Sequence, residues 1–538
     1  MLSGDPRTRK IIYLLIIVAA SCLFFFYNLG NYSLKEPDEG RYAEIPREMV
    51  EQGDYVVPHL NYVRYFEKPP LLYWVTAASY RLFSINEWAF RLPNALAAFL
   101  CVIITYLFAA RWLTFETAFF SALMLLSSFG FFAMAHIVTV DMFLTFLLLA
   151  SLLSFYEFYR SEKPLFLLLF FTALALAILA KGPVAMVLMG ATVVLFLLAE
   201  KRISFLKKMV SAKGLLLFFL IAAPWFVVIC LKEKEFFQFF FIDQNILRFI
   251  TTKHHRAGPV YYFLPVLFGG LFPWSIFLPR AVIRLWRTGE LRLFFIWSAV
   301  VFGFFSISRS KLPPYILPMF PAASIILGHL FETEWRQHVR PNWEIIPCVA
   351  FFSCIALAGL LYGTGFLDNY LGAVPRIAIL SRDLREFSLG GSGVSLAILA
   401  MLAFPRVRTF SSLFLILGGF SLSVVLGLML HAHIIDRFNT TKQLAQVINQ
   451  AKMSASCVVN YGSYNQTLSF YTQRRTYLVD DTGELEMGSR YQDSKGWFLN
   501  RDEFERLFQS GRQAWVVFKT KRPGRSRELG SDHGSVIG

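Results

Sequence analysis

Apolar residues in this chain come in long blocks, and the polar stretches between them are mostly short. Blocks occur at about 11–29, 93–110, 117–135, 141–158, 165–180, 184–199, 214–231, 259–279, 293–308, 315–330, 345–364, 391–404 and 413–431. A helix needs about 20 mainly apolar residues to cross the hydrocarbon core of a bilayer. Only a helix or a closed barrel satisfies its backbone there, so the pattern predicts about thirteen spanning helices, several of them short. The first block follows Arg7, Arg9 and Lys10 as the core of a signal peptide would. It is long enough to span and no small-residue cleavage site follows, so it is predicted to be an uncleaved first helix.

The basic residues orient the bundle. A positive start places the N terminus in the cytoplasm. Alternation then leaves 200–208, 280–292 and 405–408 on the same side, and all three carry Lys or Arg. The opposite side receives 30–91, 232–258, 308–314, 367–390 and everything after about 431. Three outer segments, Tyr42–Gln52, Leu71–Phe83 and Phe236–Ile250, mix aromatic or aliphatic with polar positions. They are predicted to be interfacial helices roofing a cavity, with simple bracing of the bundle as the alternative.

From about Thr440 the composition becomes that of a soluble domain. Lys442–Lys452 has helical spacing, Cys457–Gly462 reads as a strand and turn, and Leu468–Thr472 and Thr476–Val479 follow. A helix at Arg501–Gln509 and a strand at Ala514–Lys519 complete the pattern. The expected organisation is a transmembrane domain over residues 1–435, a small α/β domain over 440–522, and a disordered Gly-, Ser- and Arg-rich tail over 523–538. No repeat, Walker A or GxGxxG pattern occurs, which argues against an ATP-driven or nucleotide-binding module.

Composition agrees with the block pattern. The 538 residues are 56% hydrophobic and 16% charged, against about 25% charged in a soluble domain, and the mean hydropathy is +0.51. The net charge of +16 sits mostly in short loops, where it reads as a topology signal facing anionic lipid rather than a nucleic-acid surface. The six cysteines show neither metal spacing nor a disulfide framework.

Candidate chemistry gathers in the outer segments. Glu36-Pro37-Asp38-Glu39-Gly40-Arg41-Tyr42 puts three carboxylates within four positions. Such crowding fits cation binding, pairing with Arg41 or acid–base work. The plainer reading, Asp38 capping a helix, accounts for one acid and leaves two. Arg64-Tyr65-Phe66-Glu67-Lys68-Pro69-Pro70 holds an acid and a cation rigidly ahead of two prolines, suiting Lys68 to a phosphate or leaving only a solvated ion pair. Lys253-His254-His255-Arg256 and Ser308-Arg309-Ser310-Lys311-Leu312-Pro313-Pro314-Tyr315 add cations on the same side. Asp141 and Lys181 lie at span ends, where ionisable groups are functional candidates; Lys181 could also simply snorkel. Acids and cations beside aromatic segments suit a lipid phosphate ester, whose tail needs the bilayer and whose head needs Lys and Arg.

The stretch Glu36–Tyr73, with Ala180-Lys181-Gly182-Pro183 and Lys311–Pro318, resembles the bacterial aminoarabinose transferases of lipid A. More widely it resembles the GT-C membrane glycosyltransferases, among them the protein O-mannosyltransferases. The resemblance implies an α-helical polytopic membrane protein of GT-C fold with a small C-terminal α/β domain. It also implies inverting transfer of 4-amino-4-deoxy-L-arabinose or a related sugar from an undecaprenyl-phosphate donor to lipid A or another envelope acceptor. The reaction would occur at the periplasmic face of the bacterial inner membrane, among membrane lipids and without nucleic acid. It places Asp38, Glu39 and Arg41 at the reacting centre and Lys68, Arg256 and Tyr315 on the donor phosphate, with Arg248 in the same loop as Arg256. Asp141, Lys181 and Tyr42 would line the cavity. The residues fix no cofactor, and the resemblance associates Glu67 with a divalent metal. A GT-C enzyme with a secreted-protein or other glycan acceptor is the near rival. A lipid-linked sugar flippase is the distant one, and it would favour polar midplane residues and repeated halves. A non-catalytic sensor or scaffold would leave the acid and base motifs unexplained.

Overall fold

A computed structural model of the chain describes residues 5–251, 258–366, 381–430, 440–451, 457–509 and 513–518. Each of the thirteen apolar blocks has a helical counterpart. Among the described residues ten helices are long and apolar enough to cross a membrane, from Thr8–Phe26 to Phe410–Leu428. Two more blocks are broken helices: Phe115–Ser127 with Phe129–His136, bent by 59°, and Val260–Gly270 with Trp274–Leu285, bent by 114°. The last is the short helix Val184–Ala199.

The breaks have local causes. Ser127 and Ser128 hydrogen-bond back to the carbonyls of Leu123 and Met124, a competition with the ladder that bends helices. Pro273 brings no N–H and ends the turn before it. The two breaks meet, since Phe129 N donates to Phe272 O at 3.2 Å. Outward positions such as Leu216, Phe219, Leu220, Val227 and Leu231 on Ala212–Lys232 are exposed and apolar, as a lipid-facing surface requires.

Polar ties close the ends of the spans. Buried Arg280 reaches Glu334 and Glu344, both at 2.9 Å. Arg292 meets Glu200 at 2.6 Å, Arg111 meets Glu157 at 3.1 Å, and Glu116 meets Arg9 and Arg336 at 3.5 Å each. Arg280, Glu116, Glu334 and Glu344 are buried, and buried charges of this kind are tolerable only when paired.

The chain divides into two compact units. One comprises residues 1–32, 67–75 and 86–437; the other comprises 33–66, 76–85 and 438–538. The domain expected over 440–522 therefore shares its unit with most of the first outer loop, and 523–538 lies outside the described residues. In this second unit β1 (His59–Leu60) and β2 (Val63–Arg64) form a hairpin. The strands β3 (Cys457–Tyr461), β4 (Tyr477–Val479), β5 (Phe498–Leu499) and β6 (Ala514–Phe518) form a parallel sheet in the order β5-β4-β3-β6. Alternate side chains face opposite sides. Val458, Trp515 and Val517 pack with Ala445, Ile448 and Leu468, while Val459, Val479 and Val516 pack with Phe504. Both faces of the sheet are thus covered, as parallel sheets require.

The helix expected at Tyr42–Gln52 begins four residues earlier and spans Asp38–Gln52. Its polar side is not left to solvent. Glu44, Arg47 and Glu48 are all buried, with Arg47 forking onto Glu44 at 2.7 and 2.8 Å and onto Glu51 at 2.6 Å.

Candidate active site

Each of the three clustered acids, Glu36, Asp38 and Glu39, meets a different partner within the second unit. Both Glu36 oxygens accept from the far end of the chain: Oε2 from Gln466 N at 3.0 Å, Oε1 from Thr467 N at 2.7 Å and from the Thr467 hydroxyl. Asp38 opens the helix as its first residue, so the plainer reading of it as the cap does not hold, and it pairs with Arg41 one turn on. Glu39, 1% exposed, accepts from Lys35 N at 3.1 Å. The Asp38 side chain keeps 50% of its surface exposed. Arg41 is buried, bridges Asp38 to Glu484 and lies 5.0 Å from the ring of Tyr42, itself buried. Gly40 makes this approach possible, because a Cβ there would sit 2.7 Å from Thr467 N.

The transmembrane unit carries a cavity of about 290 Å³. Lys68, Lys181 and Arg248 line it with Tyr315, Gln244 and Ser310. Lys181 ends the helix Pro164–Lys181 and pairs with buried Asp141 in the first turn of Val140–Ser161, each charge at the helix end whose dipole favours it. Its ammonium lies 4.3 Å from the Tyr315 ring centre. Arg248 donates to Gln244 Oε1 at 3.0 Å and to the Tyr315 hydroxyl at 3.4 Å. Lys68 Nζ donates to Glu67 O at 3.0 Å. The Ser310 hydroxyl is buried and has no hydrogen-bond partner among the described residues. Three cations against one carboxylate, with a phenol and a spare hydroxyl, suit an anionic group. Lining residues Val187, Ile246 and Ile250 are apolar and more than half exposed.

Local geometry explains how Arg248 arrives. Gln238–Leu247 is a π-helix, a rare form that occurs frequently at functional sites. Its wider turn brings side chains four apart nearly into line, and Phe236, Phe240 and Gln244 form the buried row that leads to Arg248. Arg256, the cation expected on the donor phosphate, lies outside the described residues, as do Lys253, His254 and His255. Lys311, expected among the anion-binding cations, instead turns its ammonium onto the carbonyls of Phe305, Ser306 and Ser308 at the end of the helix Arg292–Ile307. That is a C-cap role, and burial pushes its ammonium down in pKa.

The cavity thus brings together Lys68, Lys181 and Tyr315, with Asp141 behind Lys181; Asp38, Glu39, Arg41 and Tyr42 belong to the other unit. Glu484 and Gln244 belong to no motif in the sequence, and Ser310 stands within the Ser308–Tyr315 run, whose reading rests on its cations and Tyr315. Among the described residues no three His, Cys, Asp or Glu side chains gather to hold a metal. Glu67 therefore has no ligand set for a metal among the described residues.

Comparison with known proteins converges on one kind of enzyme. The dolichyl-phosphate-mannose-protein mannosyltransferase family matches residues 10–240, and the aminoarabinose transferase C-terminal domain matches 444–525. The undecaprenyl phosphate-alpha-4-amino-4-deoxy-L-arabinose arabinosyl transferase of Erwinia tasmaniensis is 29% identical over 520 residues, covering 94% of this chain and 92% of its own. That of Aeromonas salmonicida is 28% identical over 534 residues, with 94% of both chains covered. The crystal structure of ArnT from Cupriavidus metallidurans bound to undecaprenyl phosphate superposes with a TM-score of 0.82 at 28% identity, over 97% of this chain and 95% of that one. With its helical bundle and C-terminal α/β domain, this chain is a GT-C membrane glycosyltransferase of the aminoarabinose-transferase-like type.

Proposed function

We propose that the chain moves 4-amino-4-deoxy-L-arabinose from undecaprenyl phosphate to lipid A at the periplasmic face of the bacterial inner membrane. The observation that carries this reading is the cavity in which Lys68, Lys181, Arg248, Tyr315 and Ser310 present donors to one space. The relatives named for an undecaprenyl-phosphate sugar support the donor, and the apolar side at Val187, Ile246 and Ile250 suits a polyprenyl chain.

In the reaction the bond from the sugar's anomeric carbon to the donor phosphate oxygen breaks, and its electron pair leaves with the phosphate. The acceptor oxygen bonds the same carbon from the opposite face, so the configuration inverts. Lys68, Arg248 and Tyr315 stabilise the charge gathering on the departing phosphate. Lys181, held by Asp141, keeps a further positive charge at the cavity. Asp38 receives the proton of a hydroxyl acceptor, or orients a lipid A phosphate that is already ionised.

Membranes from cells carrying Asp38→Ala should fail to transfer the lipid-linked sugar, and those carrying Lys68→Ala should transfer it far more slowly, with a raised KM for the donor. Transfer at the wild-type rate by either variant would sink the site. Mass spectrometry of lipid A with and without the gene tests the acceptor. Unchanged lipid A beside an altered glycan or secreted protein would transfer the assignment to that acceptor. Movement of the lipid-linked sugar across the membrane with no glycosyl product would make the chain a flippase.

A further inference from the structure

We propose that Glu36 is a positioning residue, a carboxylate pin by which the C-terminal α/β domain holds the Asp38 carboxylate in its working orientation. The proposal rests on the reading of Asp38 given above, and it gives the C-terminal domain a part in the reaction.

Four ties within the second unit converge on eight residues. Leu34 N donates to the Tyr471 hydroxyl at 2.8 Å. Glu36 accepts from Gln466 N at 3.0 Å, from Thr467 N at 2.7 Å and from the Thr467 hydroxyl. Gly40 lies against Thr467 too closely to admit a Cβ. Arg41 pairs with Glu484, whose second oxygen accepts from Gln466 Nε2 at 2.7 Å. The Thr467 hydroxyl is itself located by Thr441, at 2.8 Å from that hydroxyl and 3.2 Å from its backbone nitrogen.

Asp38 lies between these ties, two residues after Glu36 and three before Arg41. A carboxylate that accepts two backbone N–H groups and a hydroxyl at once is fixed in position and in torsion, since charge-assisted bonds of this kind are short and directional. The tie is specific to a carboxylate. An amide at position 36 would turn one NH₂ toward an N–H that also needs an acceptor. Reacting groups must be held to within about 0.5 Å, and a displacement of about 1 Å costs on the order of a hundredfold in rate. Loss of the pin therefore falls on the chemical step. The donor phosphate, bound by other residues, is held as before.

The test uses the purified full-length protein with undecaprenyl-phosphate-linked aminoarabinose and lipid A. Glu36→Gln should lower kcat roughly ten- to hundredfold with KM for the donor unchanged. Thr467→Val should lower kcat less, Thr467→Ser should restore it, and the double variant Glu36→Gln/Thr467→Val should fall no further than Glu36→Gln alone. Hydrogen exchange needs no substrate: amides of 34–41 should exchange faster in Glu36→Gln while those of the transmembrane helices do not change. Wild-type kcat or unchanged exchange at 34–41 in Glu36→Gln would overturn the proposal, as would a loss of kcat that only tracks a fall in melting temperature. Should Asp38→Ala stay active, the reading of Asp38 fails whatever Glu36 does. Should Asp38→Ala be dead and Glu36→Gln normal, the pin alone fails.

Discussion

Position 48 shows what burial does to an acid in the second unit. Glu44 and Glu48 lie one helical turn apart at 0% and 1% exposure. Burial, reinforced by the neighbouring Glu44 carboxylate, pushes the Glu48 carboxyl well above its usual 4.5, against the opposing pull of Arg47. Tyr62 N donates to it at 2.9 Å. The folded unit therefore keeps a proton that the unfolded chain releases. Stability from this group is complete below the unfolded value of 4.5 and is lost as pH rises through the higher folded value. Glu48→Gln keeps the shape and an acceptor for Tyr62 N without the charge. Its melting temperature should fall less than that of wild type between about pH 5 and about pH 8, and should exceed wild type at the upper end. Parallel melting curves across that range would show that Glu48 carries no such linkage.

Among the elements, the π-helix and the helix end at Lys181-Gly182 that abuts it decide the shape of the cavity. Gly182 has φ +91° and ψ −157°, a conformation open essentially to glycine alone. A Cβ there would lie 2.9 Å from the Phe240 ring, and Phe240 belongs to the row that ends in Arg248. Gly182→Ala should thus cost about 1–3 kcal/mol of backbone strain and disturb Lys181 and Arg248 together. We expect a roughly tenfold rise in donor KM, which corresponds to about 1.4 kcal/mol. Gly190→Ala, where a Cβ meets open space, is the matched control, and equal KM values for the two variants would contradict the argument. Elements of this kind were only partly legible in the sequence. Spans were legible because bilayer thickness sets their length, so the thirteen blocks matched thirteen helices or broken helices. The 59° and 114° bends were not, since Ser127-Ser128 and Phe272-Pro273 sit inside unbroken apolar runs. The π-helix was hidden for a related reason: its stripe repeats every four residues, near enough to the α period to pass as an ordinary amphipathic helix. The three first-loop acids could not be told apart, because the partner of Glu36 lies more than 400 positions away. Lys311 could not be separated from the other cations, because its ligands are backbone carbonyls, which no side-chain motif records.

For the whole molecule the issue is which way it faces, and the ion pairs bear on it independently of the charge rule. Alternation through thirteen crossings places residues 9, 111–116, 157–162, 200–208, 280–292 and 332–344 on one side. The pairs Arg9–Glu116, Arg111–Glu157, Lys208–Glu162, Arg280–Glu334, Arg280–Glu344, Arg292–Glu200 and Arg336–Glu116 each join two members of that set. Lys181–Asp141 joins two ends on the other side. A miscounted crossing among the first ten would have forced at least one pair to reach through about 30 Å of hydrocarbon. The bent helix Val260–Leu285 is the sharpest instance. At one end Gly258 abuts Lys311, and at the other Arg280 and Arg284 hold Glu334, so the bend interrupts a crossing rather than returning the chain to the side it left. An odd count also puts 33–66 and the C-terminal domain on the same side, and these segments fold into one compact unit. Single cysteines in a cysteine-free version of the chain test the orientation in intact spheroplasts with a membrane-impermeant maleimide. A cysteine replacing exposed Asp493 should label without permeabilisation, and one replacing exposed Lys207 only after it. Labelling of both positions in intact cells would break the alternation between them. The reverse order would keep the alternation, turn the molecule over, and place the first loop with Asp38 in the cytoplasm, away from a periplasmic acceptor.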